Sequence, residues 1–122
     1  MLNRSNILVV SSHIEGRSAL VSMLRRLSMN VIACAALKQT EEFLSQERVG
    51  LIFCDENLSD GSFRDLLAAR KGQKAPPIVV AIRTGDWNEY LEAMRLGAFD
   101  AIRCPLLPRD VERVVNRAIH DN

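Results

Sequence analysis

The chain lacks a strong charge of either sign. Its 122 residues hold 16 Lys and Arg against 15 Asp and Glu, for a formal net charge of +1. That argues against the broad basic field of a nucleic-acid or membrane-surface binder. Long apolar runs are missing too, since none approaches the roughly 18 residues of a membrane span. The N-terminus has neither the apolar stretch nor the small-residue cleavage site of a signal peptide. Cysteine is scarce and scattered: Cys34, Cys54 and Cys104 show no CxxC spacing. This argues against a zinc site or a disulfide framework and reads as buried thiols in a reducing compartment. No repeat, linker or low-complexity stretch divides the sequence. One cytoplasmic domain over residues 1–122 is expected. Because the pattern ends on a helix, it reads as a domain that can be excised from a longer protein.

What the chain does have is a regular alternation of strand and helix. Asn6–Val10 (NILVV) is a continuous apolar run, as expected of a strand buried on both faces. In Ser18–Leu27, Leu20, Val21, Leu24 and Leu27 share one helical face, with Arg25 and Arg26 outside. Val31–Ala36 reads as a second strand and Lys38–Glu47 as a short helix on Phe43 and Leu44. Leu51–Cys54 is a third strand, Gly61–Lys71 a third helix, and Ile78–Ile82 a fourth strand. Asp86 and Glu89 have capping-box spacing, ahead of a helix with Trp87, Tyr90, Leu91 and Met94 on one side and Gly97 at its end. Phe99–Arg103 is a fifth strand. Pro108 suits the first turn of a last helix striped by Val111, Val114, Val115, Ala118 and Ile119. Strand-helix alternation throughout implies a parallel sheet with helices on both faces.

Such sheets collect ligands and chemistry outside the carboxyl ends of their strands. Here that rim carries Ser11 and Ser12, Asp55 to Ser59, Ile82 to Thr84, and Cys104-Pro105. The densest stretch is GLIFCDENLSDG, residues 50–61, where Asp55 follows an apolar strand.

The segments NILVVSS, LIFCDENLSDG, PIVVAIR and MRLGAFDAIRCP, with the final helix, resemble the receiver domain of two-component response regulators over residues 5–120. The resemblance implies a flavodoxin-like α/β fold, a doubly wound five-stranded parallel sheet of order 2-1-3-4-5. It implies a signalling module, at most a phosphoacceptor for a histidine kinase and not an enzyme. In that family an aspartate after the third strand accepts the phosphoryl group, and an acidic pair after the first helps hold Mg²⁺. A threonine or serine ends strand four and a lysine ends strand five. Carried over, Asp55 takes the phosphoacceptor position and Asn57 the position whose backbone carbonyl ligates the metal. Pro105 takes the proline position, with a cis peptide after Cys104. The acidic-pair positions hold Ser11 and Ser12, the threonine position Ile82, the lysine position Cys104, and the aromatic switch position Ala101.

Mg²⁺ prefers hard oxygen ligands that include carboxylates, and phosphoryl transfer relies on metal and cationic groups. Asp55 alone survives from that set. The expectation is therefore a pseudo-receiver that acts through protein-protein contacts, with no cofactor, or Mg²⁺ only if Asp55 is functional. The alternative is a working phosphoacceptor at Asp55. Arg83, next to Ile82, either pairs with Asp55 as a replacement cation or is solvated. Arg103 reads as structural or interfacial, and Cys104 as a small buried hydrophobe rather than a redox thiol. An output domain, a histidine kinase or another signalling protein is the expected partner. A homodimer through helix 4, strand 5 and helix 5 would use Trp87 and Tyr90. Arg95, Arg109 and Arg113 would rim that surface and pair with Glu89, Glu92 and Glu112 across a two-fold axis.

A reading from another class rests on Ser11 to Gly16. Hydroxyls after strand one resemble the phosphate cradle of flavodoxins, and Ser11-x-His13-x-x-Gly16 resembles a cobalamin-binding loop. Either implies a flavin or cobalamin cofactor. His13 and Glu15 form a thin case for a metal, and His120 reads as solvent-facing.

Overall fold

A computed structural model describes residues 6–120. Strands β1 (Asn6–Val10), β2 (Asn30–Cys34), β3 (Val49–Asp55), β4 (Ile78–Ile82) and β5 (Asp100–Arg103) alternate with five helices. These are α1 (Ile14–Arg26), α2 (Leu37–Gln46), α3 (Phe63–Arg70), α4 (Trp87–Arg95) and α5 (Pro108–His120). The sheet is wholly parallel, in the order β2-β1-β3-β4-β5. Ser5, the first residue of the expected resemblance, lies outside the described residues. No described helix is long and apolar enough to cross a membrane.

Side chains alternate across each strand and divide the interior into two layers. Leu8, Val10, Ile52, Cys54, Val80 and Ile82 face Phe63, Leu66 and Leu67 of α3 and Ala93 of α4. Ile7, Val9, Leu51, Phe53 and Val79 face Leu20 and Leu24 of α1 and Val111, Val114, Val115 and Ala118 of α5. The central strands are buried on both sides, which is why they read as unbroken apolar runs.

Boundaries differ from the sequence expectation where local chemistry intervenes. The first helix begins four residues early, at Ile14, because the His13 imidazole accepts the Gly16 amide as an N-cap. The third helix begins at Phe63, not Gly61, because Gly61 and Ser62 pair with Asn57 and Leu58 in a two-residue antiparallel ladder. Ser62 and Asp65 then form a capping box. The box expected at Asp86 and Glu89 is only half made. Asp86 caps the Asn88 amide, but the Glu89 carboxylate turns to Arg64 instead. Gly97 closes α4 as expected, with a φ of +104 that disfavours a side chain.

The apolar stripe of α4 is the main departure. Only Ala93 of this helix is buried, and Tyr90 is half-buried. Trp87 is 63% exposed and Leu91 48%, so the stripe looks outward. Helical spacing places residues on one face but does not say which way it turns, and the small Ala93 lets α4 sit close to the sheet.

Phe63 is fully buried between α3 and the sheet. Phe63→Ala is expected to lower unfolding stability by about 3–5 kcal/mol. Arg25→Ala, on the exposed face of α1, is expected to stay within about 0.5 kcal/mol. Urea titration of both variants checks the contrast.

Candidate functional site

β3 delivers Asp55 to the rim with only 5% of its surface exposed. A charge buried that far needs partners. Ser11, at the end of β1, donates its hydroxyl to Asp55 Oδ2 at 2.6 Å. Arg83, just past β4, lays its guanidinium across the carboxylate, with Nε 3.3 Å from Oδ2 and Nη2 3.2 Å from Oδ1. The paired geometry is the fork that arginine offers a carboxylate. Of the two sequence alternatives for Arg83, the structure takes the pair.

Two features make that reach possible. Gly16 on α1 lies beneath the guanidinium, and a Cβ built there would fall 2.1 Å from Arg83 Nη2. A side chain at position 16 would push the end of the arginine aside. The second is Glu56, 2% exposed, which sequence reasoning missed. Its Oε1 accepts the amides of Arg83 at 2.9 Å and Thr84 at 3.1 Å, and its Oε2 accepts the Thr84 hydroxyl at 3.1 Å. Glu56 thereby fixes the segment that carries Arg83. Burial alone would raise its pKa, but the hydrogen bonds from Thr84, the neighbouring Glu89 carboxyl and Arg83 outweigh it and hold the carboxyl below its usual range. The signal was present in the pattern. An acidic residue directly after a buried strand needs donors, and the end of the neighbouring strand supplies them.

The other expected residues fall as follows. Ser12 points away from Asp55, donating to the Ala35 carbonyl at 2.5 Å and accepting the Ser59 amide at 2.9 Å. Asp60 accepts the Leu37 and Lys38 amides, so the loops before α2 and α3 are stapled together. Asn57 is exposed on the small ladder. Ile82 and Ala101 are buried in the layer against α3 and α4, 1% and 6% exposed, with no hydroxyl or ring to offer the rim. The Cys104 amide donates to the Ile82 carbonyl, and the Cys104-Pro105 peptide is cis. The Cys104 thiol is half-buried, and its pKa is raised by desolvation, with Arg83 nearby acting the other way. It has the character of a small hydrophobe rather than a thiolate. Cys34 and Cys54 are buried. Arg103 is exposed, 3.5 Å from the Gly85 carbonyl.

The loop from Ser11 to Gly16 does not offer a cofactor cradle. Ser11 serves Asp55, Ser12 binds two backbone groups, and His13 caps α1. Among the described residues, no group of three or more His, Cys, Asp or Glu is placed to hold a metal ion, and His13 and Glu15 gain no third ligand. His120 is exposed in the last turn of α5.

The depressed pKa of Glu56 has a testable sign. The unfolded chain takes up this proton at higher pH than the folded one. Stability from Glu56 is therefore present above the usual carboxylate range and is lost as pH falls through and below it. Urea midpoints for the wild type should drop more steeply between about pH 5 and pH 3 than those of Glu56→Gln. Equal slopes would assign the acid sensitivity to other carboxylates, such as Asp60 and Glu92, whose pKa values are also lowered by hydrogen bonds.

Comparison with known proteins agrees with this architecture. The chain is 33% identical over 115 residues to the sensory transduction protein LytR of Staphylococcus haemolyticus, covering 93% of this chain and 44% of that protein. It is 29% identical over 107 residues to the response regulator protein PilR of Pseudomonas aeruginosa, covering 86% of this chain and 24% of PilR. The chain thus spans less than half the length of these curated relatives. The receiver domain of NtrX from Brucella abortus superposes with a TM-score of 0.87 at 24% identity, covering 95% of this chain and 99% of that one. Residues 7–116 match the family model described as the response regulator receiver domain. The chain belongs to that family, whose members are signalling modules of two-component systems rather than enzymes.

Proposed function

We propose that this receiver domain signals through protein-protein contacts from a degenerate phosphorylation site, with Asp55 held by an internal cation. The single observation that carries the reading is the engagement of both Asp55 oxygens by Arg83 and Ser11. A guanidinium across the carboxylate hydrogen-bonds the oxygen lone pairs that a phosphoacceptor would use for attack. It also places positive charge where a Mg²⁺ ion would be held. The donor set does not suit that ion, because the neighbouring positions carry the neutral hydroxyls of Ser11 and Ser12. Ser12 is moreover bound to backbone groups, and the Glu56 oxygens are occupied by Arg83 and Thr84. Ile82 and Cys104 provide no polar contact to a phosphoryl group.

The expected outcome with beryllofluoride or acetyl phosphate at millimolar Mg²⁺ is no stable adduct on Asp55, read by fluorine NMR or mass spectrometry. A stoichiometric adduct overturns the reading in favour of a working phosphoacceptor. Combining Ser11→Asp, Ser12→Asp and Arg83→Ala should raise Mg²⁺ affinity, measured by isothermal titration calorimetry.

The partner surface in this proposal is the outward face of α4 with β5 and α5. Trp87 and Tyr90 stack there with ring centroids 4.9 Å apart and planes 9° apart. Exposed aromatic surface of this kind suits a binding hot spot. The charged rim needs correction. Glu89 and Glu92 both bind Arg64 of α3 within the domain, and Arg113 lies 3.2 Å from Asp110. Arg95 in turn lies 3.7 Å from Glu92, so Arg109 and Glu112 are the groups left for cross-axis pairing. An attached output domain, a histidine kinase or a second copy are the partners this face fits in a cytoplasmic setting. Sedimentation at several concentrations should show self-association that Tyr90→Ala weakens. A wild type that stays monomeric, with binding to its flanking domain unchanged by Tyr90→Ala, removes this surface.

A further inference from the structure

At the opposite end of the sheet from Asp55 lies a groove of about 530 Å³, within the size range of small-molecule sites. It opens between the end of α3 with the chain leading to β4 and the end of α4 with the chain leading to β5. Its apolar lining includes Leu67, Ile78 and Phe99, and its cationic lining is Arg70, Lys71 and Arg95. No Asp or Glu lines it, although the whole chain is nearly neutral. Arg70 and Arg95 stand in the last turns of their helices, where a cation offsets the helix dipole. Lys71, the C-cap of α3, has the same role. That role does not account for Arg70 Nε, which is buried and has no hydrogen-bond partner among the described residues. The other end of that guanidinium is held by Glu41. A buried donor left unpaired is costly unless an acceptor arrives.

We infer that this groove binds a small amphipathic organic acid, with its anionic head among Arg70, Lys71 and Arg95 and its apolar body over Leu67, Ile78 and Phe99. The site is separate from Asp55 and does not depend on whether Asp55 is phosphorylated. Its size favours a small molecule over a folded partner, and since Arg70 and Arg95 face Glu41 and Glu92 outside the lining, the sign of the charge rests on Lys71 and the unpaired Arg70 Nε.

The test is a titration of the 122-residue chain with 4-phenylbutyrate, followed by amide NMR. Saturable shifts are expected at Gly72, Gly97 and Phe99, with half-saturation at or below about 5 mM. The uncharged 4-phenylbutanol should bind at least about fivefold more weakly, as should 4-phenylbutyrate to Arg70→Gln. Should Arg70→Gln not fold, the double change Lys71→Gln, Arg95→Gln at exposed positions carries the same expectation. Absence of saturable shifts, equal binding of the alcohol, or indifference to both variants overturns the inference. So does reproduction of the shifts by inorganic phosphate alone, which would mean a bare anion site. Tighter binding of an acidic-apolar peptide than of the small acid would reassign the groove to a protein segment and likewise overturn it.

Discussion

A carboxylate carried on the middle strand of a fully covered sheet has to have its charge met at the rim, and much of this molecule's architecture follows from that. β3 is flanked by β1 and β4 and buried on both faces, so Asp55 emerges where water has little access. In a setting of that kind an unpaired charge is prohibitive, and the protein meets it with one hydroxyl and one guanidinium. The guanidinium in turn has to be aimed, and a second buried carboxylate, Glu56, does so by gripping the backbone on which Arg83 sits. The two acidic residues side by side in sequence thus have opposite tasks, one receiving a cation and the other positioning it.

The fold was legible because its strands obey a simple rule. β1, β3 and β4 are covered on both sides, so each is an uninterrupted apolar run flanked by polar loops. The site was legible in its positions and less so in its contacts. Asp55, Ser11, Ile82 and Cys104 lie at or just past the carboxyl ends of their strands, because strand ends in a parallel sheet converge on one rim. Whether Arg83 paired or pointed to solvent could not be read from adjacency. It depends on the space left by a glycine on another helix. Glu56 is hidden by its neighbour, since adjacency in an acidic run does not tell which carboxylate takes a cation and which grips backbone amides. The direction of the α4 stripe was hidden for another reason, since periodicity gives a face but tertiary packing chooses its orientation.

The two halves of the molecule use charge differently. On one side of the sheet, Arg64 reaches from α3 to Glu89 and Glu92 and ties α3 to α4. The resulting hydrogen bonds raise the pKa of Arg64 and lower that of Glu92. On the other side, α1 and α5 meet mainly through Leu20, Leu24 and the valines of α5. α3 and α4 are thus tied by ion pairs in addition to the apolar layer they share, while α1 and α5 meet through nonpolar packing.

Gly16 gives the arrangement an unexpected dependence. The residue is far in sequence from both Asp55 and Arg83, yet its missing side chain is the room in which their pair forms. An arginine at position 83 lies across the aspartate in this way where the first turn of the first helix leaves room for its guanidinium. A larger residue there would displace the end of the arginine with every rim position unchanged. The state of such a site is thus written outside its own motif, and the helix that borders it acts as a steric allele.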